Sequence, residues 1–428
     1  MTSQTSILVI GAGQAAAVAV AALRDEGFEG RITVVGDEAH APYERPPLSK
    51  AVLAAVQADE PSIHVKDADF FTARDIDLRL GTCVESLDAA NKTARLSDGD
   101  TIQFSQCLLA TGGAARVLPV FPVSAPQVHY LRTLDDARKL RTALASTDRA
   151  IVVGGGFLGL EIASTAREMG VAVSLIESLP RVLARVMPEQ FSQWLQNRVQ
   201  DKAQVNLHIG QTITAVTLPE DGSPATVELS DGTALSAPVV AVSVGLTPAT
   251  RLAEVAGIRI DESNGGILVD ERCQTSHPDI YAAGDCTSQR HPGHAGTLRM
   301  ESWQNANEQA RTAALAMLNR DVGAPAYPWF WTDQFGCNIQ MLGLPDSTLH
   351  YVVRGALDAT AEMPKFIMVG LRDQTAVHVI AVNAGGDLRA LRPIVEKALP
   401  IDPAQFIDES VTVRAFAKSV LASAASQA

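Results

Sequence analysis

The sequence is poor in cysteine, and its cysteines are scattered. They form no C-x-x-C or C-x-x-x-x-C pair, so neither a redox dithiol nor an iron–sulfur cluster is expected in this chain. Dispersed, odd-numbered thiols suit a reducing compartment, and we predict a cytoplasmic protein whose buried cysteines are free. The five are Cys83, Cys107, Cys273, Cys286 and Cys337.

Long apolar runs and runs of basic residues are also missing. No apolar run approaches the roughly 18 residues that span a bilayer, and the N-terminus lacks the basic segment of a secretory signal. The net charge of −13 argues against a nucleic-acid partner, although a local basic patch for an acidic protein partner stays open. No metal site is expected, because the one close histidine pair lies in a Pro-Gly loop.

What the chain does contain is enough apolar residue for a folded protein of several domains. Hydrophobic residues make up 46% of the 428 positions. A chain of this length supports about two to four domains with sizeable cores. The chain is therefore predicted to be globular throughout most of its length.

Two glycine fingerprints, G-x-G-x-x-G/A, each lie between a strand-like and a helix-like run. The first glycine permits the turn out of the strand, the second admits a pyrophosphate, and the third position must be small. The helix N-terminus then offers free N–H groups to the phosphates. Two copies predict two dinucleotides, with electrons passing between them. The binding residues are Gly11, Gly13, Gln14, Ala15 and Ala16 in the first copy, and Gly154, Gly156, Phe157, Leu158 and Gly159 in the second.

An acidic residue about 20 positions after each fingerprint is expected to bind a ribose. The second copy supplies Glu177 at the end of a strand, and a carboxylate there favours NADH over NADPH because it repels a 2′-phosphate. In the first copy Gly36 occupies the expected place. Asp37 is our choice, and Glu38 stays an alternative.

The order of fingerprint, then strand into glycine, occurs twice, which indicates an internal duplication. Further along, a helix is predicted over about 302–318. The remainder reads as strands over 339–342, 351–354, 366–369 and 377–382 with a helix over about 387–398. Ser49, at the end of a proline-rich loop, is a candidate cap for the next helix. The predicted fold class is α/β, with two Rossmann-like domains of the glutathione-reductase type and a small C-terminal α+β domain.

Besides both fingerprints, the chain contains the motifs Arg45-Pro46-Pro47-Leu48-Ser49-Lys50, Ala110-Thr111-Gly112-Gly113, Ala283-Gly284-Asp285 and Trp329-Phe330-Trp331-Thr332-Asp333-Gln334. Together these motifs resemble one family, the FAD-dependent, NADH-oxidising ferredoxin reductases of Rieske ring-hydroxylating dioxygenases and bacterial cytochromes P450. The resemblance covers nearly the whole chain. It implies an FAD domain at 1–116 and 247–324, an NADH domain at 117–246 and a C-terminal domain at 325–428.

The resemblance also implies roles for individual residues. Lys50 would lie beside the flavin with Glu161 as its ion-pair partner, and Trp331 would cover the nicotinamide; these three are the predicted catalytic residues. A cation near the flavin favours its reduced, anionic form. Asp285 would bind the ribityl chain. The other residues implied to contact FAD are Arg45, Val84, Ala110, Thr111, Gly112, Arg132, Gly284 and Trp303, and Gly245 would contact NADH.

These features predict an NADH-dependent ferredoxin reductase that passes electrons singly to a [2Fe-2S] ferredoxin, in aromatic-compound oxidation or a P450 system. The oligomeric state stays open, with a monomer favoured. A flavin disulfide reductase would need a dithiol, and an NADH oxidase would commonly place one cysteine within residues 37–50, where none occurs. A redox-signalling protein resembling apoptosis-inducing factor is the non-enzymatic alternative, which the acidic net charge disfavours.

Overall fold

The structure, a computed structural model, describes residues 5–56, 59–291 and 294–427. Residues 292 and 293, the Pro-Gly loop between the two close histidines, lie outside this part. The chain divides into two compact units, called unit 1 and unit 2 below. Unit 1 comprises Met1–Pro46, Ser62–Ala114 and Leu246–Ala326, and unit 2 comprises Pro47–Pro61, Ala115–Gly245 and Tyr327–Ala428.

The part of the chain up to residue 116 begins with a strand, a helix and a strand around the first fingerprint, and six further strands follow after short helical segments. The largely apolar segment Arg31–Val35 is a strand, and the alanine-rich segment after the first fingerprint is a helix buried along most of its length. The elements are β1 (Ser6–Ile10), α1 (Gln14–Asp25), β2 (Arg31–Val35), a 3₁₀ turn (Pro46–Ser49), α2 (Ala51–Ala54), α3 (Phe70–Ala73), β3 (Ile76–Arg79), β4 (Val84–Asp88), β5 (Thr93–Leu96), β6 (Thr101–Gln103), β7 (Gln106–Leu109) and β8 (Gly113–Ala115).

The next part of the chain repeats this order around the second fingerprint. The elements are β9 (Val128–Tyr130), α4 (Leu134–Ala145), β10 (Arg149–Val153), α5 (Phe157–Glu168), β11 (Ala172–Glu177), α6 (Glu189–Asn197), a π-helical turn (Arg198–Lys202), β12 (Asn206–Ile209), β13 (Ile213–Thr217), β14 (Ala225–Leu229), β15 (Ala234–Ala237), β16 (Val239–Val242) and β17 (Leu246–Pro248).

The chain returns to unit 1 at Leu246, the first residue of β17. The helix predicted over 302–318 is found between Ser302, whose hydroxyl accepts a hydrogen bond from the Asn305 N–H, and Leu318 at its C-terminal end. Serine at this position is a favoured helix start, which explains why the prediction was close. The elements are α7 (Arg251–Val255), β18 (Ile267–Leu268), β19 (Ile280–Ala282), β20 (Thr287–Arg290), β21 (Thr297–Leu298) and α8 (Trp303–Met317).

The C-terminal part of unit 2 is an antiparallel sheet with helices, as predicted. Three elements were not predicted: the aromatic-rich first strand, the short helix that follows the predicted helix, and the final alanine-rich helix. The elements are β22 (Trp329–Gln334), β23 (Cys337–Gly343), β24 (His350–Gly355), β25 (Phe366–Arg372), β26 (Thr375–Val382), α9 (Gly385–Glu396), α10 (Pro403–Ile407) and α11 (Val413–Gln427). The strand order is β22-β23-β26-β25-β24, and α9 and α11 share a core with it.

The two fingerprints directly follow the central strands of two similar parallel sheets. The order is β3-β2-β1-β7-β19 in unit 1 and β12-β11-β10-β16-β9 in unit 2. Each also has a three-stranded antiparallel sheet, β4-β5-β6 or β13-β14-β15. The predicted duplication is therefore present in three dimensions. The two copies differ in one edge strand, since β19 comes after the rest of its sheet in the chain and β9 comes before the rest of its sheet.

The core of unit 1 lies on both faces of its parallel sheet. Ile7 and Val9 pack with residues of α1 and α8, whereas Leu8 and Ile10 pack with residues of β4 to β6. Successive strand residues point to opposite faces, so a continuous apolar run suits a sheet that is covered on both sides. Burial on both faces of the sheet therefore holds β1, the strand that precedes the first fingerprint, in the centre of the core.

Candidate functional site

The first fingerprint forms a tight turn that leaves open space at the start of α1. Gly11 has a φ of +104°, and a Cβ there would lie 2.2 Å from the carbonyl oxygen of Ala110. Its N–H donates to the Val35 oxygen at 2.8 Å. Gly13 is the N-cap of α1, and a Cβ at this position would have no heavy atom within 4 Å. This open helix N-terminus suits a dinucleotide pyrophosphate.

The second fingerprint repeats this geometry in unit 2. Gly154 has a φ of +109°, and a Cβ there would lie 2.2 Å from the Ser243 oxygen. Gly156 is the N-cap of α5, again with nothing within 4 Å of a Cβ. The third position is tighter than in unit 1, because a Cβ on Gly159 would lie 2.0 Å from the Gly154 oxygen, whereas Ala16 is accommodated and buried. Both cradles fit a dinucleotide.

Glu177 is held in place by backbone N–H groups. The Gly155 N–H donates to Oε2 and the Leu179 N–H donates to Oε1, both at 2.8 Å. Such a fixed carboxylate is well suited to accept hydrogen bonds from a ribose. Gly155 was missed as a site residue. The available signal was that Gly155 lies between the two glycines of the fingerprint. A Cβ on Gly155 would lie 3.0 Å from Glu177 Oε2, which explains the glycine.

The acidic residues of the first copy are arranged differently. Asp37, the predicted ribose ligand, is exposed. Glu38 accepts a hydrogen bond from Arg45 at 2.7 Å and another from the Tyr43 hydroxyl. Burial opposes the charge of Arg45, but Tyr43, Glu38 and Asp285 outweigh it and raise the pKa of the guanidinium. Arg45 and Asp285, both predicted to contact FAD, thus interact within unit 1.

The Gly284-Asp285 turn lies against the start of α1. A Cβ on Gly284 would lie 3.5 Å from the Cβ of Ala15 and 3.8 Å from that of Ala306 on α8. The Gly284 N–H donates to Oε1 of Gln309 at 2.8 Å. Gln309 is buried and was missed, because nothing near it in the sequence points to the turn it supports.

Gln14 and Trp303 are linked through α8. Gln14 Nε2 donates to Asn307 Oδ1 at 2.9 Å, and Asn307 Nδ2 donates to the Trp303 carbonyl at 2.7 Å. Gln14 Oε1 is buried and has no hydrogen-bond partner among the residues that the structure describes. A buried polar atom beside the open start of α1 fits a bound group that satisfies it.

Other predicted FAD residues lie in both units. The Thr111 hydroxyl donates to the Ala249 oxygen at 2.7 Å, which ties the Ala110-Thr111-Gly112 turn to the returning chain. Val84 is half-buried in β4. Arg132 lies in unit 2, where its N–H donates to the Asp136 carboxylate at 3.2 Å.

Lys50 and Glu161 form the predicted ion pair. The Lys50 Nζ lies 2.8 Å from Glu161 Oε1, and both residues belong to unit 2. Ser49 does not cap the following helix, because Lys50 is the N-cap of α2 and the Ser49 hydroxyl donates to Glu161 Oε2 instead. The expected cap is therefore wrong: a buried carboxylate is the stronger acceptor.

The aromatic residues near the second fingerprint lie along β22 and α5. Trp331 is half-buried and stacks on Trp329, with ring centroids 5.1 Å apart and 19° between the planes. Phe157, the first residue of α5, contacts Phe330 at a centroid distance of 4.7 Å. Leu158 follows Phe157 on the helix, and Gly245 precedes β17 with a φ of +113°. Unit 2 thus brings Trp331 and the second fingerprint into one region.

The thiols provide no reactive centre. Burial raises the pKa of Cys107, Cys273, Cys286 and Cys337, and Cys83 alone is exposed. Within the described ranges, His, Cys, Asp and Glu side chains form no group of three that suits a metal ion. None of the described helices has the length and apolar character needed to cross a bilayer.

The geometry defines a class, the oxidoreductases that hold two dinucleotides, and comparison with known proteins identifies the family. A family model described as pyridine nucleotide-disulphide oxidoreductase matches residues 5–310, and one described as reductase C-terminal matches residues 329–417. The chain is 38% identical to a 3-phenylpropionate/cinnamic acid dioxygenase ferredoxin–NAD(+) reductase component of Photorhabdus laumondii, covering 95% of this chain and 98% of the relative.

Two further comparisons agree. Putidaredoxin reductase of Pseudomonas putida is 35% identical over 99% of this chain and 100% of its own. A crystal structure of the covalent putidaredoxin reductase–putidaredoxin complex matches with a TM-score of 0.90 and 34% identity, covering 98% of each chain. The chain therefore belongs to the pyridine nucleotide-disulphide oxidoreductase family and, within it, to the ferredoxin–NAD(+) reductases.

Membership of this family confirms the resemblance, the fold class and the oxidoreductase class predicted from the sequence. FAD and NADH are confirmed as the cofactors at the level of the family. The individual site residues and the bounds of the nucleotide-binding domains stay predictions.

Proposed function

We propose that this protein oxidises NADH and passes the electrons singly, through FAD, to a [2Fe-2S] ferredoxin that serves a Rieske dioxygenase or a cytochrome P450. FAD, when bound, accepts a hydride and releases its two electrons one at a time. The relatives support this role, since their names join them to dioxygenase systems and to putidaredoxin. The protein supplies alignment and electrostatics to this chemistry.

The observation that carries the proposal is the Lys50–Glu161 ion pair at the end of a cysteine-free loop. A disulfide reductase needs a dithiol beside the flavin, whereas this loop offers a cation that stabilises negative charge on a reduced cofactor. Glu161 lies on α5, whose N-terminus is the second cradle, so one helix holds both a pyrophosphate site and the partner of Lys50. Because the loop contains no dithiol, the electrons pass to a partner protein.

The remaining residues bind and orient. Gly13 and Gly156 expose the helix N-termini that hold the two pyrophosphates. Glu177 binds the ribose of NADH, and Asp37 binds that of FAD, with Glu38 as the alternative. Arg45 and Asp285 act on the FAD side in unit 1, and Trp331 shields the nicotinamide side in unit 2.

The test is NADH turnover with and without a ferredoxin. The purified yellow protein, whose flavin absorbance NADH bleaches, should consume NADH about tenfold faster with a [2Fe-2S] ferredoxin than with oxygen alone. Equal rates with stoichiometric hydrogen peroxide would favour an NADH oxidase. A long-wavelength band that persists after NADH addition, without stimulation by ferredoxin, would favour a redox-signalling protein instead.

We place the protein in the cytoplasm as a monomer. Its five free thiols are consistent with a reducing compartment. Fractionation of the native cells should find the protein with cytoplasmic markers, and gel filtration should give the mass of one chain, 45.3 kDa.

A further inference from the structure

The carboxylate of Glu161 is held by three side chains from two distant segments of unit 2. Lys50 Nζ lies 2.8 Å from Oε1. The Ser49 hydroxyl donates to Oε2 at 2.5 Å, and the Thr332 hydroxyl donates to Oε1 at 2.6 Å. The ion pair is therefore one part of a larger hydrogen-bonded cluster, which we call the Glu161 cluster: Ser49, Lys50, Glu161 and Thr332.

Thr332 reaches the cluster because β22 packs along one face of α5. Phe330 contacts Phe157 near the start of the helix, and Thr332 bonds Glu161 one turn later. After the strand, the Phe335 N–H donates to the Ser164 hydroxyl at 2.7 Å. Helix residues three and four apart share a face, as do alternate strand residues. Thr332 thus lies at the middle of a continuous contact, on the opposite strand face from Trp331.

Thr332 is buried, and its hydroxyl contributes hydrogen bonds in addition to the packing of the side chain. The residue is fully buried, and Gln334 Nε2 donates to the same hydroxyl at 3.2 Å. A buried hydroxyl without partners destabilises a fold, and valine has nearly the same shape without that cost. The hydroxyl therefore serves the carboxylate beside it.

The segment that carries Lys50 is fixed at its backbone as well. The Thr165 hydroxyl, on the next turn of α5, donates to the Ser49 carbonyl oxygen at 2.7 Å. Ser49 and Thr165 are both buried. With the backbone held, the direction of the Lys50 side chain depends on where the Glu161 carboxylate points.

We propose that Thr332 is a positioning residue for Lys50. Its hydroxyl sets the orientation of the Glu161 carboxylate, and the carboxylate sets the position of the ammonium. The strand that carries Trp331 and the lysine beside the flavin are thereby aligned through one carboxylate. The role of Lys50 in this inference rests on the proposed function, whereas the coupling of Thr332 to Lys50 does not.

The coupling is tested by competitive acetylation of the purified holoenzyme, without NADH or ferredoxin. The Lys50 side chain is held against Glu161 and is only 22% exposed, so the reagent reaches its amine more slowly than that of an exposed lysine. Thr332→Val should raise the labelling of Lys50, relative to the exposed Lys139, by roughly fivefold, because a hydrogen bond to a charged group is lost. Thr332→Ser restores the hydroxyl and should stay near wild type. Thr332→Ala, which relieves packing, should behave like Thr332→Val.

Ser164→Ala is the matched control. It removes a hydrogen bond from the same contact between α5 and β22 but does not touch the carboxylate. We expect wild-type labelling of Lys50 in this variant, even where its Tm falls as far as that of Thr332→Val. An equal rise in labelling for Ser164→Ala, or no rise for Thr332→Val, would overturn the proposal.

A second measurement connects the coupling to the reaction. Anaerobic reduction of the flavin by NADH should have a limiting rate roughly tenfold lower in Thr332→Val, with little change in the half-saturating NADH concentration. Labelling that rises while the limiting rate stays unchanged would overturn the link to hydride transfer. A wild-type protein that fails to reduce any ferredoxin would contradict the proposed function, and the labelling comparison would still stand.

Discussion

The two fingerprints are alike around their first glycine and differ at the residue that follows it. In both, the N–H of the first glycine donates to the end of the neighbouring strand at 2.8 Å. In unit 1 a Cβ on Gly36 would lie 2.4 Å from the Cβ of Ala12, and in unit 2 a Cβ on Gly155 would lie 3.0 Å from Glu177 Oε2. The parallel registers make Ala12 equivalent to Gly155, and Gly36 equivalent to Glu177.

Only one of these two positions can carry a side chain of any size. Unit 2 gives the space to a carboxylate, which backbone N–H groups then orient. Unit 1 gives it to Ala12, and its acidic residues move into the following turn. The spacing of a fingerprint therefore predicts an acid, but the complementary volumes of two neighbouring positions decide where that acid lies.

The largest expected effect comes from the third position of the fingerprint. Gly159→Ala should destabilise unit 2 by about 3 kcal/mol, because the new methyl group would overlap the Gly154 oxygen. Ala16→Gly, the mirror change in unit 1, should cost only about 1 kcal/mol through chain entropy. Chemical denaturation monitored by circular dichroism measures both. Similar losses for the two variants would contradict the difference in packing between the copies.

The next effect concerns the orientation of Glu177. Glu177→Arg should weaken NADH use by roughly tenfold to a hundredfold and improve NADPH use, since two charge-assisted hydrogen bonds are lost and repulsion of the 2′-phosphate is removed. Steady-state kinetics with both nucleotides measure the change. An unchanged preference would remove Glu177 from the NADH site.

In unit 1 two acidic residues, Asp37 and Glu38, are the alternatives for binding the ribose of FAD. Asp37→Asn should weaken FAD binding to the apoprotein by about tenfold, through the loss of hydrogen bonds to a ribose. Glu38→Gln should have a smaller effect, because Glu38 is engaged by Arg45 and Tyr43. Flavin fluorescence titration gives both constants. The reverse order would assign the ribose to Glu38.

The smallest effect is expected at the residue after the first glycine. Gly155→Ala should raise the KM for NADH by about threefold with kcat nearly unchanged, because the methyl group displaces the Glu177 side chain without touching the reacting atoms. Ala12→Gly, the mirror change, should leave FAD binding nearly unaltered. A loss of kcat in Gly155→Ala would show that Glu177 does more than hold the ribose.

Much of the fold is local enough to be predicted from the sequence. The β2 bounds follow from a short apolar run, and the bounds of α8 follow from Ser302 and an alanine-rich stretch. Each fingerprint can be predicted with its turn from glycine and strand patterns, and Glu177 can be predicted from its distance to the second fingerprint. Each of these patterns spans about 25 residues, which is the range over which backbone propensity and periodicity act. These patterns also carry the family resemblance, which the comparisons confirm.

The tertiary structure alone decided which side chains meet. Ser49, Glu161 and Thr332 are separated by more than 100 residues along the chain, and their contact depends on how β22 packs on α5. No local pattern predicts that a serine after two prolines bonds a distant carboxylate rather than caps a helix. The sequence by itself determined two dinucleotide cradles and, between them along the chain, a lysine. Packing determined the orientation of that lysine and of Glu177, because the hydrogen bonds that hold them come from segments that only folding brings together.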